Sequence, residues 1–167
     1  VYTIQHSMSQ QEIKGALAKL LATENLTVEH TKCETASFDV KNRVLSLPLW
    51  IASESVYDML VGHEVGHALY TPAEEWTDML NVPQSYVNIL EDVRIEKAMK
   101  EKFPGLRKDF FQGYKELNEK DFFGIEILDL EKLKLIDRIN LHYKVGIVDH
   151  TKPCLLYTSP SPRDQLQ

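Results

Sequence analysis

One segment constrains the fold of this chain more than any other, because residues 56–70 are apolar on nearly every side of a helix. A helix that is apolar all round its axis is buried rather than amphipathic. Yet the same segment contains three titratable side chains, His63, Glu64 and His67. The sequence therefore predicts a buried helix that has to accommodate two imidazoles and a carboxylate.

The spacing of these three residues indicates a metal site. Residues four apart share one face of a helix, so His63 and His67 can direct both imidazoles at one ion. A carboxylate buried at Glu64 is costly without a compensating charge, which a divalent cation would supply. The pattern H-E-x-x-H is typical of zinc peptidases, although it arises by chance in about 2 of 100 shuffled sequences of this composition. The alternative is a pair of core histidines bonded to carbonyl groups, with Glu64 at the edge of the core.

A catalytic zinc ion needs a third protein ligand, and the next predicted helix offers two adjacent carboxylates. Glu91 is favoured, because it lies on a stripe with apolar residues four positions to either side. Asp92 is the alternative ligand, or a carboxylate that orients a histidine, on a face shared with Asn88 and Glu96. The alternative interpretation of this acidic cluster involves no metal. The carboxylates would then lie on a solvated helix face and form a salt bridge to Arg94, and we expect this above all for Glu96.

The two segments together resemble a known family. Residues 63–67 and 88–96 resemble the motifs of gluzincin-type zinc metallopeptidases. More narrowly, they resemble predicted peptidases of tailed marine phages that are related to cobalt-chelatase subunits with a von Willebrand A domain. The resemblance covers about residues 1–153. It implies one zinc ion (Zn2+), the catalytic base Glu64, and a ligand set consisting of His63, His67 and Glu91.

The chain departs from this family at one position. In gluzincins an aspartate often follows the glutamate ligand by four residues, and here Ile95 occupies that position. The role of orienting a histidine would therefore pass to Asp92 or Glu96. The resemblance also implies a von Willebrand A-type partner domain beyond Pro153.

The remaining pattern predicts an α+β fold, a mostly helical zincin-like domain with a small β-hairpin or sheet that borders the active-site helix. Residues 36–40 and 44–48 form the predicted hairpin, and Pro48 ends its second strand or leaves it at an edge. An edge strand directly before the active helix could pair with an extended peptide substrate. The alternative is a small hairpin that only caps the helix.

The other elements are expected to be scaffold. A first helix, capped by Ser7 or Ser9, should bury the apolar positions Ile13, Ala16, Leu17, Leu20 and Leu21. Ser53 or Ser55 should cap the active helix, and Pro72 should help to end it. A helix near residues 107–117 carries three aromatic residues expected in the core, namely Phe110, Phe111 and Tyr114. In a last helix, ended by Gly146, the candidate oxyanion donors are His142 and Tyr143.

Charge and composition exclude several partners. A formal charge of −6 and a pI near 5.5, without a basic run, exclude a nucleic-acid surface. No stretch is long and apolar enough for a membrane span, and residues 1–6 lack the features of a secretory signal, so we expect a cytoplasmic protein, in the host cytoplasm if it is phage-encoded. Cys33 and Cys154 have no metal-type spacing.

The last residues differ in character from the rest. Residues 154–164 resemble a translated sequencing adapter, so we expect one domain over residues 1–153, cut off at its C-terminal end, and a non-native tail over residues 154–167.

The sequence thus predicts a zinc metalloendopeptidase that hydrolyses a peptide or protein substrate. One alternative is a zincin-fold binding or assembly module that has no catalytic activity and works with the missing domain. Another is hydrolysis of a non-peptide amide.

Overall fold

The computed structural model describes residues 10–50, 53–73, 81–124 and 132–146. These ranges contain five helices and a three-stranded sheet, so the predicted α+β class is confirmed. The elements are α1 (Gln10–Ala22), β1 (Thr27–Thr31), β2 (Ser37–Asp39), β3 (Val44–Pro48), α2 (Glu54–Tyr70), α3 (Gln84–Lys102), α4 (Leu106–Glu119) and α5 (Leu135–Val145). The predicted caps Ser7 and Ser9 and the tail lie outside the described residues. None of the helices in these ranges combines the length and the apolar character of a membrane span.

Helix α2 forms the centre of the fold and packs against α1, α3, α4 and the sheet. The prediction of a buried helix is confirmed, since buried residues lie on every side of its axis, among them Val56, Met59, Val61, Val65 and Ala68. Of the two predicted caps, Ser53 is the one used, and its side chain accepts a hydrogen bond from the backbone N–H of Val56 at 3.2 Å. The helix ends at Tyr70, two residues before Pro72. Because α2 is central, its polar side chains contact residues of three other helices, α1, α3 and α4.

The sheet confirms the hairpin but corrects its placement. β2 and β3 pair antiparallel, with Phe38 opposite Leu45. The expectation that β3, the strand before the active helix, could be an edge strand is wrong, because β1 pairs in parallel with its other side as far as Thr31 and Pro48. β3 is therefore the central strand, and within the described residues the outer edges of the sheet belong to β1 and β2.

Glycines allow α3 and α4 to approach α2 closely. A Cβ atom added at Gly66 of α2 would lie 3.1 Å from side-chain atoms of both Ile95 and Met99 on α3. One added at Gly113 of α4 would lie 2.9 Å from the side chain of Met59 on α2. A Cβ atom at either position would be closer than ordinary van der Waals contact, so the two glycines permit the close packing of α2 against α3 and α4.

The predicted faces of α1 and α4 are only partly right. Ile13 and Leu20 of α1 are 50% and 75% exposed. The buried stripe contains Lys14 instead, because its ammonium group lies 2.5 Å from the carboxylate of Asp58 on α2 and is neutralised there. On α4, Phe110 and Tyr114 are buried as expected, whereas Phe111 is exposed.

Candidate metal centre

Helices α2 and α3 bring three side chains of metal-binding type together, His63, His67 and Asp92. Their donor atoms lie within 4.8 Å of one another, and Oδ1 of Asp92 is 3.6 Å from Nε2 of His63 and 3.5 Å from Nε2 of His67. A tetrahedral zinc ion with bonds of about 2.0–2.2 Å separates its donor atoms by about 3.3–3.6 Å. This group could therefore hold a metal ion, and it is the single group of this kind in the described ranges.

Asp92 rather than Glu91 completes this group, which differs from the ligand set that the resemblance implies. Glu91 is buried, as its apolar stripe predicts, but both of its carboxylate oxygens accept hydrogen bonds from Arg94 at 2.7 Å. Arg94 also donates to the carbonyl oxygen of Tyr70, so it fastens Glu91 to the end of α2. Burial raises the pKa of Glu91, but the hydrogen bonds from Arg94 and Thr71 outweigh it and hold the pKa below its usual value. The salt bridge to Arg94, which we expected above all for Glu96, is thus formed by Glu91.

Glu96 orients His63. One of its oxygens lies 2.9 Å from Nδ1 of His63 and also accepts a hydrogen bond from the hydroxyl of Tyr114 on α4. The other oxygen accepts from Nζ of Lys100 at 3.2 Å. Glu96 is fully buried, so the solvated position expected for it is wrong. A carboxylate at Nδ1 places the proton on that nitrogen and leaves Nε2 free to bind a metal.

The electrostatics of Glu96 and His63 support this arrangement. Burial raises the pKa of Glu96, but its hydrogen bond with His63 and the charges of His63 and Lys100 outweigh burial and lower the pKa below its usual value. Burial lowers the pKa of His63, but the hydrogen bond and charge of Glu96 outweigh it, and the net shift is upward. The pair therefore favours a charged carboxylate with a proton held on the imidazole.

Thr71 orients His67 in the same way from the end of α2. Its hydroxyl oxygen lies 2.9 Å from Nδ1 of His67 and donates its proton to Glu91 at 2.7 Å. Because that proton is committed to Glu91, Thr71 can only accept from Nδ1, which must carry a hydrogen. Nε2 of His67 is then the ring nitrogen that is left to bind a metal ion. Glu91 thus helps to orient His67 indirectly, because it accepts the proton of the Thr71 hydroxyl.

Glu64 is the buried carboxylate beside this group, 6% exposed and directly after His63. Burial raises the pKa of Glu64 above its usual value, and the nearby charges of His63 and His67 lower it only in part. A carboxylate whose pKa is shifted towards neutrality is a better proton acceptor than one in water. Its position and its pKa both suit a general base.

A lysine from α5 approaches the third carboxylate. Nζ of Lys144 lies 3.2 Å from Oδ2 of Asp92, the oxygen that does not face the imidazoles. Burial raises the pKa of Asp92, but the hydrogen bond to His67 and the charges of His63 and Lys144 outweigh it and hold the pKa below its usual value. The carboxyl group of Asp92 is therefore held in its charged form, which is the form that binds a cation.

Asn88 and Tyr143, two of the other predicted site residues, form hydrogen bonds with residues outside the group. Asn88 is exposed and accepts a hydrogen bond from Gln84. The hydroxyl of Tyr143 accepts from Nζ of Lys100 at 3.3 Å, which connects it to the network behind His63. Both ring nitrogens of His142 are buried without a hydrogen bond among the described residues. Oxyanion donation by His142 or Tyr143 stays a prediction.

Sequence reasoning missed four residues that support the group. Two had a local signal: Thr71 follows His67 by four positions, and Lys100 follows Glu96 by four, so each pair shares a helix face. Tyr114 and Lys144 had none, because each comes from a helix far along the chain and only the packing of α4 and α5 brings it here.

Comparisons with known protein families, with curated proteins and with solved structures find no match for this chain. The geometry of the group itself therefore carries the functional argument.

Proposed function

We propose that this chain is a zinc-dependent metallopeptidase in which His63, His67 and Asp92 hold the ion and Glu64 is the general base. The observation that carries the proposal is the position of a buried carboxylate next to three converging donor atoms, with Nδ1 of each imidazole already bonded. Two imidazoles and one carboxylate are a donor set that catalytic zinc sites use. Asp92 replaces Glu91 as the proposed third ligand.

The chemistry of the proposal is hydrolysis of an amide bond. A bound zinc ion would supply a water molecule of lowered pKa and an electrophile for the carbonyl oxygen. Glu64 accepts a proton from the attacking water and passes it to the departing amine nitrogen as the C–N bond breaks. One carboxylate can serve both transfers, because it accepts a proton in the first and donates the same proton in the second.

An extended peptide is the proposed substrate, and β2 is the strand that could receive it. β2 pairs with β3 on one side, and its other edge has no strand partner among the described residues. Arg43, in the turn between these strands, donates to the carbonyl oxygen of Ala68 at 2.7 Å, which fastens the hairpin to α2 one residue after His67. Main-chain pairing with an open edge is a common way to bind an extended peptide.

The Glu64→Gln variant tests this proposal against a matched control, Glu119→Gln, which makes the same change at an exposed position of α4. We expect Glu64→Gln to bind zinc at the wild-type stoichiometry and to cleave a mixture of quenched fluorescent peptides about 100- to 10,000-fold more slowly. Glu119→Gln should cleave at the wild-type rate, and a chelator should abolish cleavage by both the wild type and this control.

Two results would contradict the proposal. One is a zinc-loaded Glu64→Gln variant that cleaves as fast as the wild type. The other is a zinc-loaded wild type that cleaves none of the peptides, which would favour the binding-module alternative.

A further inference from the structure

Lys144 contacts Asp92, a member of the group formed by His63, His67 and Asp92, and it does so from a separate helix. It lies in the last turn of α5, and its Nζ is 3.2 Å from Oδ2 of Asp92 on α3. The two side chains are only 16% and 21% exposed. A pair shielded from solvent to this degree keeps much more of its attraction than a surface ion pair does.

The two oxygens of Asp92 are in different surroundings. Oδ1 faces Nε2 of both His63 and His67, at 3.6 and 3.5 Å, whereas Oδ2 is the oxygen that Lys144 contacts. A carboxylate can bind a metal ion through one oxygen or through both, and a cation held at one oxygen favours binding through the other.

We propose that Lys144 is a positioning residue that keeps Asp92 bound to the metal through Oδ1 alone. The inference rests on the proposed function, since it assumes that the group holds a metal ion. The consequence concerns the coordination number of the metal ion. A catalytic site needs three protein donors and an open position, and a carboxylate that bound through both oxygens would occupy a further position of the ion.

The coordination number can be measured without an activity assay. Cobalt(II) in place of zinc absorbs visible light strongly when it is four-coordinate and weakly when it gains a fifth donor, because geometry governs these bands. The variants are Lys144→Met, which removes the charge but keeps an unbranched chain, and Lys144→Arg, which keeps the charge. The matched control is Lys120→Met, because Lys120 forms an exposed ion pair with Glu116.

We expect cobalt-loaded wild type, Lys144→Arg and Lys120→Met to show strong four-coordinate bands, and Lys144→Met to lose intensity as the second oxygen of Asp92 binds. The folding of each variant is checked by circular dichroism. If Lys144→Met does not fold, Lys144→Gln replaces it with the same expected loss, because its amide brings no cation to Oδ2. A Lys144→Met or Lys144→Gln spectrum identical to that of the wild type overturns the proposal.

X-ray absorption of the zinc-loaded wild type gives a second test that needs no variant. We expect four donors, with a single carboxylate oxygen at about 2.0–2.2 Å. Two carboxylate oxygens at bonding distance, or no metal bound at all, overturn the proposal. Failure here is distinguishable from failure of the proposed hydrolysis, because the spectra report the role of Lys144 even if no peptide is cleaved.

Discussion

At the scale of single residues, Glu96 is the clearest case of a charge that the fold has to compensate. It is fully buried, and it contacts an imidazole, a phenol and an ammonium group through His63, Tyr114 and Lys100. These contacts satisfy both carboxylate oxygens. Removing the charge leaves fewer acceptor positions for partners from three elements and an ammonium group without its carboxylate, which is costly in a buried site.

The lowered pKa of Glu96 makes this cost depend on pH. Its usual value is 4.5, and a folded value below it means that the unfolded state binds more protons in the interval between the two. Glu96 therefore contributes stability that is fully present above about pH 4.5 and is lost as the pH falls through the folded pKa.

We expect Glu96→Gln to lower the free energy of unfolding of the metal-free protein by about 3–5 kcal/mol at neutral pH, because it breaks a buried pair. As the pH falls below about 4.5 and through the folded pKa of Glu96, where the carboxyl of the folded wild type becomes protonated, the difference between the two proteins should shrink. Urea unfolding over this pH range measures both. Glu119→Gln, at an exposed position, should follow the wild type at every pH, and a Glu96→Gln deficit that is constant with pH would contradict the assignment.

The choice between Glu91 and Asp92 shows the limit of pattern at this scale. The apolar stripe correctly predicts that Glu91 is buried, but burial does not say which partner a carboxylate has. Arg94, three positions later, occupies both oxygens of Glu91, and one step round the helix Asp92 faces the imidazoles. The relative rotation of α2 and α3 decides which carboxylate faces the imidazoles. The local pattern of residues along α3 does not specify that rotation.

At the scale of elements, the separation of α2 and α3 fixes the site. Two imidazoles on α2 and a carboxylate on α3 converge only if the helices are close, and Gly66 is where they touch. The neighbours of Gly66 are Ile95 and Met99, both fully buried, and a Cβ added at Gly66 would lie 3.1 Å from each, so these side chains would have to shift.

We expect Gly66→Ala to destabilise the protein by about 1–3 kcal/mol through overpacking, even though alanine favours a helix by about 1 kcal/mol. It should also weaken zinc binding, because the added methyl group forces α3 away from α2. The matched control is Gly15→Ala on α1, where the new Cβ would meet Val28 at an ordinary 3.7 Å. Thermal unfolding measures the stability of both variants, and zinc titration measures their affinity for the ion. Equal stability and equal affinity in the two variants would refute this role for Gly66.

Local signals predicted most elements, and the errors involve contacts that are distant in sequence. Ser53 and Pro72 mark the ends of α2, and Gly146, with a φ of 67°, ends α5 as expected. The central position of β3 was missed because it depends on parallel pairing with β1, whose register joins Thr27 to Val44 across two turns and a strand. No local preference specifies such a pairing.

At the scale of the whole molecule, the candidate centre joins four of the five described helices. The proposed ligands come from α2 and α3, Tyr114 reaches Glu96 from α4, and Lys144 reaches Asp92 from α5. Unfolding of any of these helices would separate the ligands or remove their support. A metal ion that binds this arrangement and not the unfolded chain therefore stabilises the molecule as a unit.

We expect zinc at about 1,000 times its Kd to stabilise the wild type by about 4 kcal/mol, which for a chain of this size raises Tm by about 8–16 °C. The shift should disappear with a chelator and in His63→Ala, which lacks one ligand. His30→Ala is the control, since it removes a histidine of β1 outside the group and should keep the shift. A wild-type Tm that zinc does not change, or an equal shift in His63→Ala, would mean that the ion does not bind where the helices converge, because only binding at that point couples the metal to the packing of α2 through α5.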